Sequence, residues 1–462
     1  MRYNQSINYY LIFMIDVERI RENPEVLTWL IEIGRLDSSK VSVERWLEVD
    51  SKRRTLIKST DDLKAELNGI NKGLKGKPDE ETLTKINAIK EKLNAQNAEL
   101  SALDTEWKTM NDWIPNIPLE EVPAGKTSDD NVEIKAWHPE VGYLDSTKLG
   151  KGEFSSQFMA ELEKKKNVIP HWEIGEELDM IHLEAGARVS GSRFYYLKGD
   201  GALLILGVFN LLFRKLLKEG FSPMIVPLLV KENALYGSSH FPGDADQVYS
   251  LASNYVEDAN TLYLIGSSEP SNFAYFGGET LDEKELPVKV MAQTPCFRSE
   301  VGSWGKDVRG IKRTHQFDKV EMNMIVPADL DKAREVQEYL LSLNEWLLQE
   351  LKLPYHVINM CYGELGYFAA AKKYDIEVWL PSDKKYIEIM SNSITTDYQT
   401  RRLGIKYKAE NGETKFAYTL NDTGATHRLL IAILDHYQNE DGSVTVPEAL
   451  REYVGKETIK KA

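Results

Sequence analysis

Cysteine is scarce in this sequence, with only Cys296 and Cys361 in a chain of 462 residues. Two cysteines are too few for a disulfide scaffold or a cysteine-rich zinc site, and they favour a reducing, cytoplasmic location. Long apolar runs are also lacking, since no stretch approaches the roughly 18 apolar residues of a membrane helix. The apolar segment Tyr9–Ile15 is short and has no small-residue cleavage site after it. We therefore interpret residues 1–13 as an extension ahead of Met14 and not as a signal peptide.

Positive charge is not in excess either. Lysine and arginine total 57 against 72 aspartates and glutamates, which gives a formal net charge of −15. This balance excludes a protein that works by coating itself with nucleic acid, so any such contact must come from a local basic surface. What the chain does have is length and a 42% share of hydrophobic residues, which together predict two or three domains with a large core.

Two heptad seams occur in the N-terminal third of the chain. Their apolar positions are spaced alternately by three and four residues, and Gly73, Gly76 and Pro78 separate them. This pattern predicts an antiparallel coiled-coil hairpin over about residues 41–113, within an N-terminal domain of residues 1–123. The seams consist of Leu56, Thr60, Leu63, Leu67, Ile70 and Leu74, and of Ile86, Ile89, Leu93, Gln96, Leu100, Leu103, Trp107 and Met110.

The first helix and the tip of this hairpin are basic. Eight basic residues and three acidic ones lie between Lys52 and Lys77, an excess of five positive charges on an acidic chain. A solvated coiled-coil face would show the same pattern as an arm that contacts phosphates, and both interpretations stay open at this point. The candidate phosphate contacts are Arg53, Arg54, Lys72, Lys75 and Lys77.

The remaining residues, 124–462, mix helical stretches with β-rich runs. Leu203–Leu217 is apolar nearly all round, which predicts a buried helix. Strands are predicted at Val288–Gln293, Val320–Val326 and Ile376–Leu380. Because the strands follow one another without regular βαβ alternation, an α+β fold with an antiparallel sheet is expected.

The most informative stretch is Thr294–Met322. A strand ends at Phe297-Arg298-Ser299-Glu300, a glycine-rich basic loop follows, and a second strand returns through residues 315–321. An arginine at a strand end suits bidentate phosphate binding. Phe317 and Glu321 share a face of the return strand because strand side chains alternate. An aromatic ring beside an acid and an arginine suits a purine and its triphosphate.

The sequences FRSE (297–300) and HQFDKVE (315–321) resemble motif 2 of class II aminoacyl-tRNA synthetases, specifically of bacterial-type seryl-tRNA synthetases. The resemblance runs nearly end to end, including Ile15–Val26, Val189–Leu204 and Asp441–Gly455. It implies the fold of that family: an N-terminal antiparallel coiled-coil hairpin and an antiparallel class II sheet flanked by helices. Motif 1 is placed at about residues 212–230, motif 2 at 288–326 and motif 3 at 416–437.

The resemblance implies an ATP-dependent ligase. It would activate L-serine as seryl-adenylate and transfer it to the 3′ end of tRNA(Ser), with Mg²⁺ and without zinc. The family works as a homodimer whose hairpin contacts the long variable arm of the tRNA, which favours the interpretation of the basic hairpin as an RNA-contacting arm. Whether selenocysteine tRNA is also charged is left open.

The resemblance also implies roles for individual residues. Arg298, Arg428 and Glu388 match catalytic positions, and Glu388 with Ser391 matches a Mg²⁺ site. The positions that match ATP contacts are Arg298, Ser299, Glu300, Thr314, Phe317, Glu388, Ile389, Met390, Ser391 and Arg428. Those that match serine contacts are Ser267, Ser268, Glu269, Arg298, Glu321 and Thr423.

Three departures from the family pattern lie in the C-terminal part of the chain. Met390, Asn392 and Ile394 replace small, polar or cysteine residues that are common after the Mg²⁺ glutamate. From Asn421 to Arg428 is seven residues where the family usually has eight, and Asp422 stands where glycine is common. The segment His240-Phe241-Pro242 also differs from the usual glycine-rich spacing.

Two other classes of protein are alternatives to a tRNA ligase. A ligase that loads a small amino acid onto a carrier protein would be expected to lack or alter the long hairpin. A non-catalytic paralogue would be expected to lose Arg298, Glu321, Glu388 or Arg428. The hairpin and all four residues are present.

Overall fold

The computed structural model describes residues 16–74, 76–145, 162, 164–165, 167–251, 261–302 and 309–461. Within these residues the chain divides into two compact units, one ending at Pro115 and the other starting at Asn116. The predicted extension over residues 1–13, and Lys75 of the hairpin, lie outside the described residues. No helix in the described ranges is long and apolar enough to cross a membrane.

The described part of the N-terminal unit is helical. The side chains of Ser42 and Asp79 accept hydrogen bonds from the first turns of the two long helices, which fixes where each helix begins. These helices are about 46 and 50 Å long at 1.5 Å per residue. The helices of this unit are α1 (Val17–Glu22), α2 (Glu25–Glu32), α3 (Val43–Gly73) and α4 (Glu80–Asp112).

The long helices α3 and α4 pack against each other in antiparallel order. Arg45, near the start of α3, pairs with Glu106 near the end of α4, and Gln96 donates a hydrogen bond to Ser59 further along the hairpin. The predicted coiled-coil hairpin is therefore confirmed. Most of the predicted α4 seam is buried, namely Ile86, Ile89, Leu93, Leu103, Trp107 and Met110.

The C-terminal unit contains many strands and is built around one large sheet. The strands are β1 (Val132–His138), β2 (Gly142–Asp145), β3 (Ile181–His182), β4 (Tyr196–Leu197), β5 (Ser222–Pro223), β6 (Leu229–Lys231), β7 (Ser250–Leu251), β8 (Leu262–Leu264), β9 (Thr280–Asp282), β10 (Val288–Phe297), β11 (Gln316–Val326), β12 (Tyr355–Asn359), β13 (Lys372–Leu380), β14 (Lys385–Thr396), β15 (Lys406–Lys408), β16 (Thr414–Phe416), β17 (Tyr418–Thr426), β18 (Val444–Thr445) and β19 (Thr458–Ile459). Among the described residues, nine strands of the large sheet pair in the order β2-β1-β12-β13-β14-β17-β11-β10-β5. All these pairs are antiparallel except the last, β10 with β5.

Helices flank this sheet, so the predicted α+β fold with an antiparallel sheet is confirmed. The three strands predicted from the sequence correspond to β10, β11 and β13. The α-helices of this unit are α5 (His171–Glu177), α6 (Leu183–Ser190), α7 (Asp200–Lys218), α8 (Glu232–Gly237), α9 (Glu269–Ala274), α10 (Leu330–Glu350), α11 (Tyr398–Leu403), α12 (Arg428–Tyr437) and α13 (Arg451–Val454). Short 3₁₀ helices occupy Ser128–Asp130, Ala245–Gln247, Glu283–Glu285, Tyr362–Glu364 and Glu448–Leu450.

The apolar helix α7 is buried on one side only. Leu204, Val208 and Leu212 are fully buried and belong to the main core of the unit, together with residues of α10 and α12. Leu206 and Leu217 on the same helix are each 48% exposed. The expectation of a buried helix is therefore wrong for its outer side, where no described residue covers these two leucines.

Candidate active site

Two adjoining cavities lie over the middle of the sheet, where β14, β17, β11 and β10 are neighbours. The first has a volume of ≈ 80 Å³ and the second ≈ 380 Å³. They share part of their wall, which consists of Arg298, Glu300, Arg313, Lys319, Glu388, Ser391 and Thr423. The smaller one is also lined by Lys312, Thr314, Phe317, Ile389, Thr426, His427 and Arg428.

Arg298 follows directly after β10 and faces an aromatic group. Its guanidinium lies 5.4 Å from the centre of the Phe317 ring, and that ring is in turn 5.6 Å from the ring of His427. Phe317 comes from β11, which pairs with β10 so that Cys296 stands opposite Phe317. The paired strands β10 and β11 therefore place a cation and an aromatic face on one wall of the smaller cavity.

Glu300 and Thr314 stand at the ends of the loop between these two strands. The carboxylate of Glu300 forms an ion pair with Arg313 at 2.7 Å. Thr314 is buried, and its hydroxyl has no hydrogen-bond partner among the described residues. Ser299 instead points its hydroxyl at the backbone oxygen of Asp246, at 2.5 Å, and does not line either cavity.

Glu321, an acid on β11, lines the larger cavity. It is buried, forms an ion pair with Lys319 at 2.7 Å and accepts a hydrogen bond from the Thr423 hydroxyl at 3.3 Å. Burial raises the pKa of Glu321, and the charge of Lys319 opposes this effect. The sequence interpretation gave Lys319 no role, although alternation along a strand puts residues two apart on one face.

Glu269 is a second buried acid in the same cavity. It accepts hydrogen bonds from the amides of Gln399 at 2.6 Å and Asn421 at 2.9 Å, and Tyr367 lies at 3.4 Å. Burial, followed by the negative charge of Glu321, raises its pKa to about 7. These three partners were missed from sequence, and for Gln399 and Tyr367 no motif could have found them.

The two serines ahead of Glu269 differ in their surroundings. The Ser267 hydroxyl lines the larger cavity and accepts a hydrogen bond from the Glu269 backbone at 3.2 Å. Ser268 is fully buried and accepts a hydrogen bond from Asn272, so it does not face the cavity.

Glu388, on β14, lies between positive charges. Burial acts to raise its pKa, but Lys373, Arg428 and the other arginines of the cavity outweigh that effect, and the pKa is lowered. Arg428 donates a hydrogen bond to the backbone oxygen of Glu388 at 2.7 Å and its guanidinium lies 3.6 Å from the carboxylate. Ser391 lines both cavities, whereas Met390, next to it, is fully buried in the main core.

Asp422 does not enter either cavity. It pairs with Met322 on one side and Asn392 on the other, on the core side of the sheet. Neither of its carboxylate oxygens has a hydrogen-bond partner among the described residues, and burial raises its pKa well above the ordinary value. Thr423, one residue on, faces the opposite side and lines both cavities.

The basic residues of the hairpin are not equivalent. Arg53 is 2% exposed, because it forms an ion pair with Asp104 and lies 4.6 Å from the centre of the Trp107 ring. Its side chain is therefore buried within the hairpin, and its contact with phosphate stays a prediction. Arg54, Lys72 and Lys77 are exposed.

Comparisons with known proteins identify the family. The family model of the seryl-tRNA synthetase N-terminal domain matches residues 14–118, and that of the tRNA synthetase class II core domain (G, H, P, S and T) matches residues 254–437. The structure is similar to seryl-tRNA synthetase from Pyrococcus horikoshii complexed with ATP, with 34% sequence identity, a TM-score of 0.84, and coverage of 97% of this chain and 100% of that one. The chain belongs to the seryl-tRNA synthetase family. The activity is that of an ATP-dependent serine–tRNA ligase.

Two further solved structures are similar to this one, at lower sequence identity. The cytoplasmic serine–tRNA ligase of Naegleria fowleri, in complex with AMP, is 29% identical, with a TM-score of 0.78 and coverage of 97% of this chain and 98% of that one. A prolyl-tRNA synthetase from Giardia lamblia in complex with prolyl-adenylate is 14% identical, with a TM-score of 0.53 and coverage of 64% of this chain and 56% of that one. The latter shares the fold alone. The bacterial type stays a prediction.

Proposed function

We propose that serine is activated by ATP where the two cavities adjoin, and that Arg298 holds the reacting groups there. The observation that carries this proposal is the convergence of Glu269, Glu321 and Thr423 in the larger cavity, directly beside Arg298 and Phe317. Two acids can pair with the ammonium group of serine, and the hydroxyl beside them can hydrogen-bond to the serine side chain. The arginines of the adjoining wall can bind the phosphates of ATP.

The serine ammonium lies between Glu269 and Glu321, and the serine hydroxyl meets Thr423 and Glu321. The amides of Gln399 and Asn421 orient Glu269 from behind. A buried site that pairs with a hydroxyl rejects an analogue without it by a factor on the order of 10⁴–10⁵, so alanine is excluded. Ser267 contributes a second hydroxyl, and Ser268 is left out of this set because it faces the protein interior.

ATP occupies the smaller cavity with its adenine on Phe317. Glu300 and the backbone at Thr314 receive the base, and Arg428 faces the phosphates from the side of α12. The serine carboxylate attacks the α-phosphorus next to Arg298, a bond forms to that carboxylate oxygen, and pyrophosphate leaves. The arginines act by positioning and charge stabilisation, with no covalent enzyme intermediate.

Mg²⁺ fits two residues of β14. Glu388 and Ser391 line both cavities and offer the oxygen ligands that Mg²⁺ prefers, together with substrate phosphates. When bound, Mg²⁺ supplies positive charge to the pyrophosphate.

The tRNA partner is tRNA(Ser), and we propose that the hairpin binds it through exposed basic residues. Arg54, Lys72 and Lys77 support this proposal because they are exposed on α3 and at the tip. Lys75 belongs to the same predicted set. RNA duplexes are recognised mostly through shape and phosphates, which a basic rod can contact without reading bases.

We propose that the chain works as a homodimer in the cytoplasm. Large apolar side chains are exposed along residues 189–229, in and around the predicted motif 1, and an exposed apolar surface of this kind marks an interaction site. These residues are Val189, Tyr196, Leu203, Leu206, Leu217, Ile225 and Leu229. The cytoplasmic location rests on the two cysteines, which are both free and buried.

The experiment that tests the site is ATP–pyrophosphate exchange without tRNA, using serine, threonine, alanine or cysteine. Strong exchange with serine and weak exchange with the other three is expected. Absence of exchange with all four, in a folded protein, would contradict the proposed site. Charging of purified tRNA(Ser), with selenocysteine tRNA as a second substrate, then tests the transfer step.

A further inference from the structure

The larger cavity extends beyond the groups assigned to ATP and serine. His240, Asp244 and Gln247 line this cavity but not the smaller one. The segment that carries them is joined to the residue next to Arg298, because the Ser299 backbone donates to the Gln247 oxygen at 2.9 Å and the Ser299 hydroxyl to the Asp246 oxygen. This part of the wall is therefore held beside the residue that follows Arg298, and it lies outside the smaller cavity.

The hydrogen bonds of Ser238 fix which nitrogen of His240 carries the proton. The Ser238 hydroxyl lies 3.0 Å from the Ala234 backbone oxygen and 3.2 Å from that of Leu235. Carbonyl oxygens only accept, so the hydroxyl proton is directed at them, and its oxygen is left to accept from His240 Nδ1 at 2.9 Å. A neutral imidazole has one proton, so Nε2 of His240 is an acceptor.

The acceptor is available to a ligand. Nε2 of His240 has no hydrogen-bond partner in the described parts of the chain, and the ring forms part of the cavity wall near Tyr367, at a ring separation of 6.4 Å. Desolvation in the cavity, followed by the charges of Arg298 and Lys319, lowers the pKa of His240 to about 3. The ring is therefore neutral near pH 7. Its Nε2 can accept a hydrogen bond, but the low pKa makes the ring a weak base.

We propose that His240 binds the terminal ribose of the tRNA, with Nε2 accepting a hydrogen bond from the 2′-hydroxyl beside the 3′-hydroxyl that is acylated. This inference rests on the proposed function, since it needs seryl-adenylate at Arg298. A terminal nucleotide must approach the activated carbonyl from the side that the adenylate leaves open. The wall at His240 is the part of the larger cavity that neither ATP nor serine is assigned to fill.

The choice of the 2′-hydroxyl follows from the chemistry of the ring. An acceptor for the attacking hydroxyl would also have to take up its proton, for which this imidazole is too weak a base. Holding the neighbouring hydroxyl needs no proton transfer. It fixes the ribose so that the 3′-oxygen faces the carbonyl carbon.

The test measures transfer of serine from preformed seryl-adenylate in a single turnover. It compares tRNA(Ser) ending in adenosine with the same tRNA ending in 2′-deoxyadenosine. The leucine variant His240→Leu should slow transfer to the normal tRNA about tenfold, the size expected for one lost hydrogen bond. It should change ATP–pyrophosphate exchange less than about twofold. The 2′-deoxy tRNA should slow the unaltered protein by a similar factor and the variant no further.

The matched variant is His240→Gln, whose amide oxygen can reach the position of Nε2. It should recover most of the transfer rate. Equal slowing of both tRNAs by His240→Leu, or a fall in exchange as large as the fall in transfer, would overturn the proposal in favour of a packing role. Loss of serine-dependent exchange in the unaltered protein would instead contradict the proposed function itself.

Discussion

Two buried acids of the C-terminal unit differ from the surface acids of the hairpin in the direction of their pKa shifts. On the hairpin, hydrogen bonds from Lys52 and Arg45 lower the pKa of Glu48, and Arg45 lowers that of Glu106. These groups sit at the surface. In the C-terminal unit, burial raises the pKa of Glu269 to about 7 and also raises that of Glu321.

The contrast separates exposed acids that keep a helix soluble from buried acids that line a binding site. An exposed ion pair contributes roughly 0–1 kcal/mol, because water screens it and two long side chains must be ordered. A buried acid with a raised pKa has lost hydration, which disfavours its charged form. Such acids cluster at functional sites, where a ligand can supply the opposite charge. The same substitution should therefore have very different consequences in the two units.

The largest expected effect is at Glu321. The variant Glu321→Gln removes the charge that faces the serine ammonium, and we expect kcat/KM for serine in pyrophosphate exchange to fall about 100- to 1000-fold. Glu106→Gln on the hairpin is the matched control, because its partner Arg45 is exposed, and it should leave exchange unchanged. A near-normal exchange rate in Glu321→Gln would contradict the assignment of the ammonium site.

The stability of the Glu321 variants must be measured together with their activity, because Glu321 also neutralises the charge of Lys319. Both side chains are buried, and removing one partner of a buried pair typically costs about 3–5 kcal/mol. We therefore expect a lower thermal midpoint for Glu321→Ala than for Glu321→Gln. The glutamine can still accept a hydrogen bond from the lysine.

The sequence predicted the hairpin better than the interior of the site. Heptad spacing depends on residues three and four apart, so a local pattern identifies the α4 seam from Ile86 to Met110 correctly. The partners of Glu269 are about 98 to 152 positions away in the chain, at Tyr367, Gln399 and Asn421. No spacing pattern in the sequence indicates such contacts, because they form only when the fold brings β17 and α11 beside α9.

Two residues of the predicted sites have side chains that pack inside the protein. Met390 is a predicted ATP contact, and its side chain lies in the main core. Arg53 is a predicted phosphate contact, and its guanidinium lies against Trp107 of the facing helix. Both assignments stay predictions, and a spacing pattern alone did not show the direction of either side chain.

The second prediction concerns the surface charges of the hairpin. Changing Arg54, Lys72 and Lys77 to glutamine should weaken tRNA(Ser) binding about 10- to 100-fold at low salt, and the salt dependence of binding should become less steep. Pyrophosphate exchange should not change. Lys90→Gln with Lys92→Gln, exposed on α4, is the control for a general loss of charge. An equal loss in both variants would argue against a defined contact surface.

The smallest effect expected is a pH dependence set by Glu269. Its pKa of about 7 in the folded protein means that it is protonated below that pH, where it cannot pair with the serine ammonium. The value of kcat/KM for serine should therefore fall as pH decreases through 7, by at most about tenfold per unit for a single protonation. Measuring exchange between pH 5.5 and 8.5 checks this.

The variant Glu269→Gln separates this group from others that titrate in the same range. It should be slow at every pH and should lose the inflection near 7, whereas Glu106→Gln should keep the profile of the unaltered protein. Stability has a related dependence on pH: because the folded pKa of Glu269 lies above its ordinary 4.5, this group favours the folded state below 4.5, and the contribution is lost as pH rises through 7. Serine should reverse part of that loss, since its ammonium favours the ionised acid. A profile that stays flat down to pH 5.5 would mean that Glu269 is ionised throughout, and the contrast between the acids of the two units would then apply to Glu321 alone.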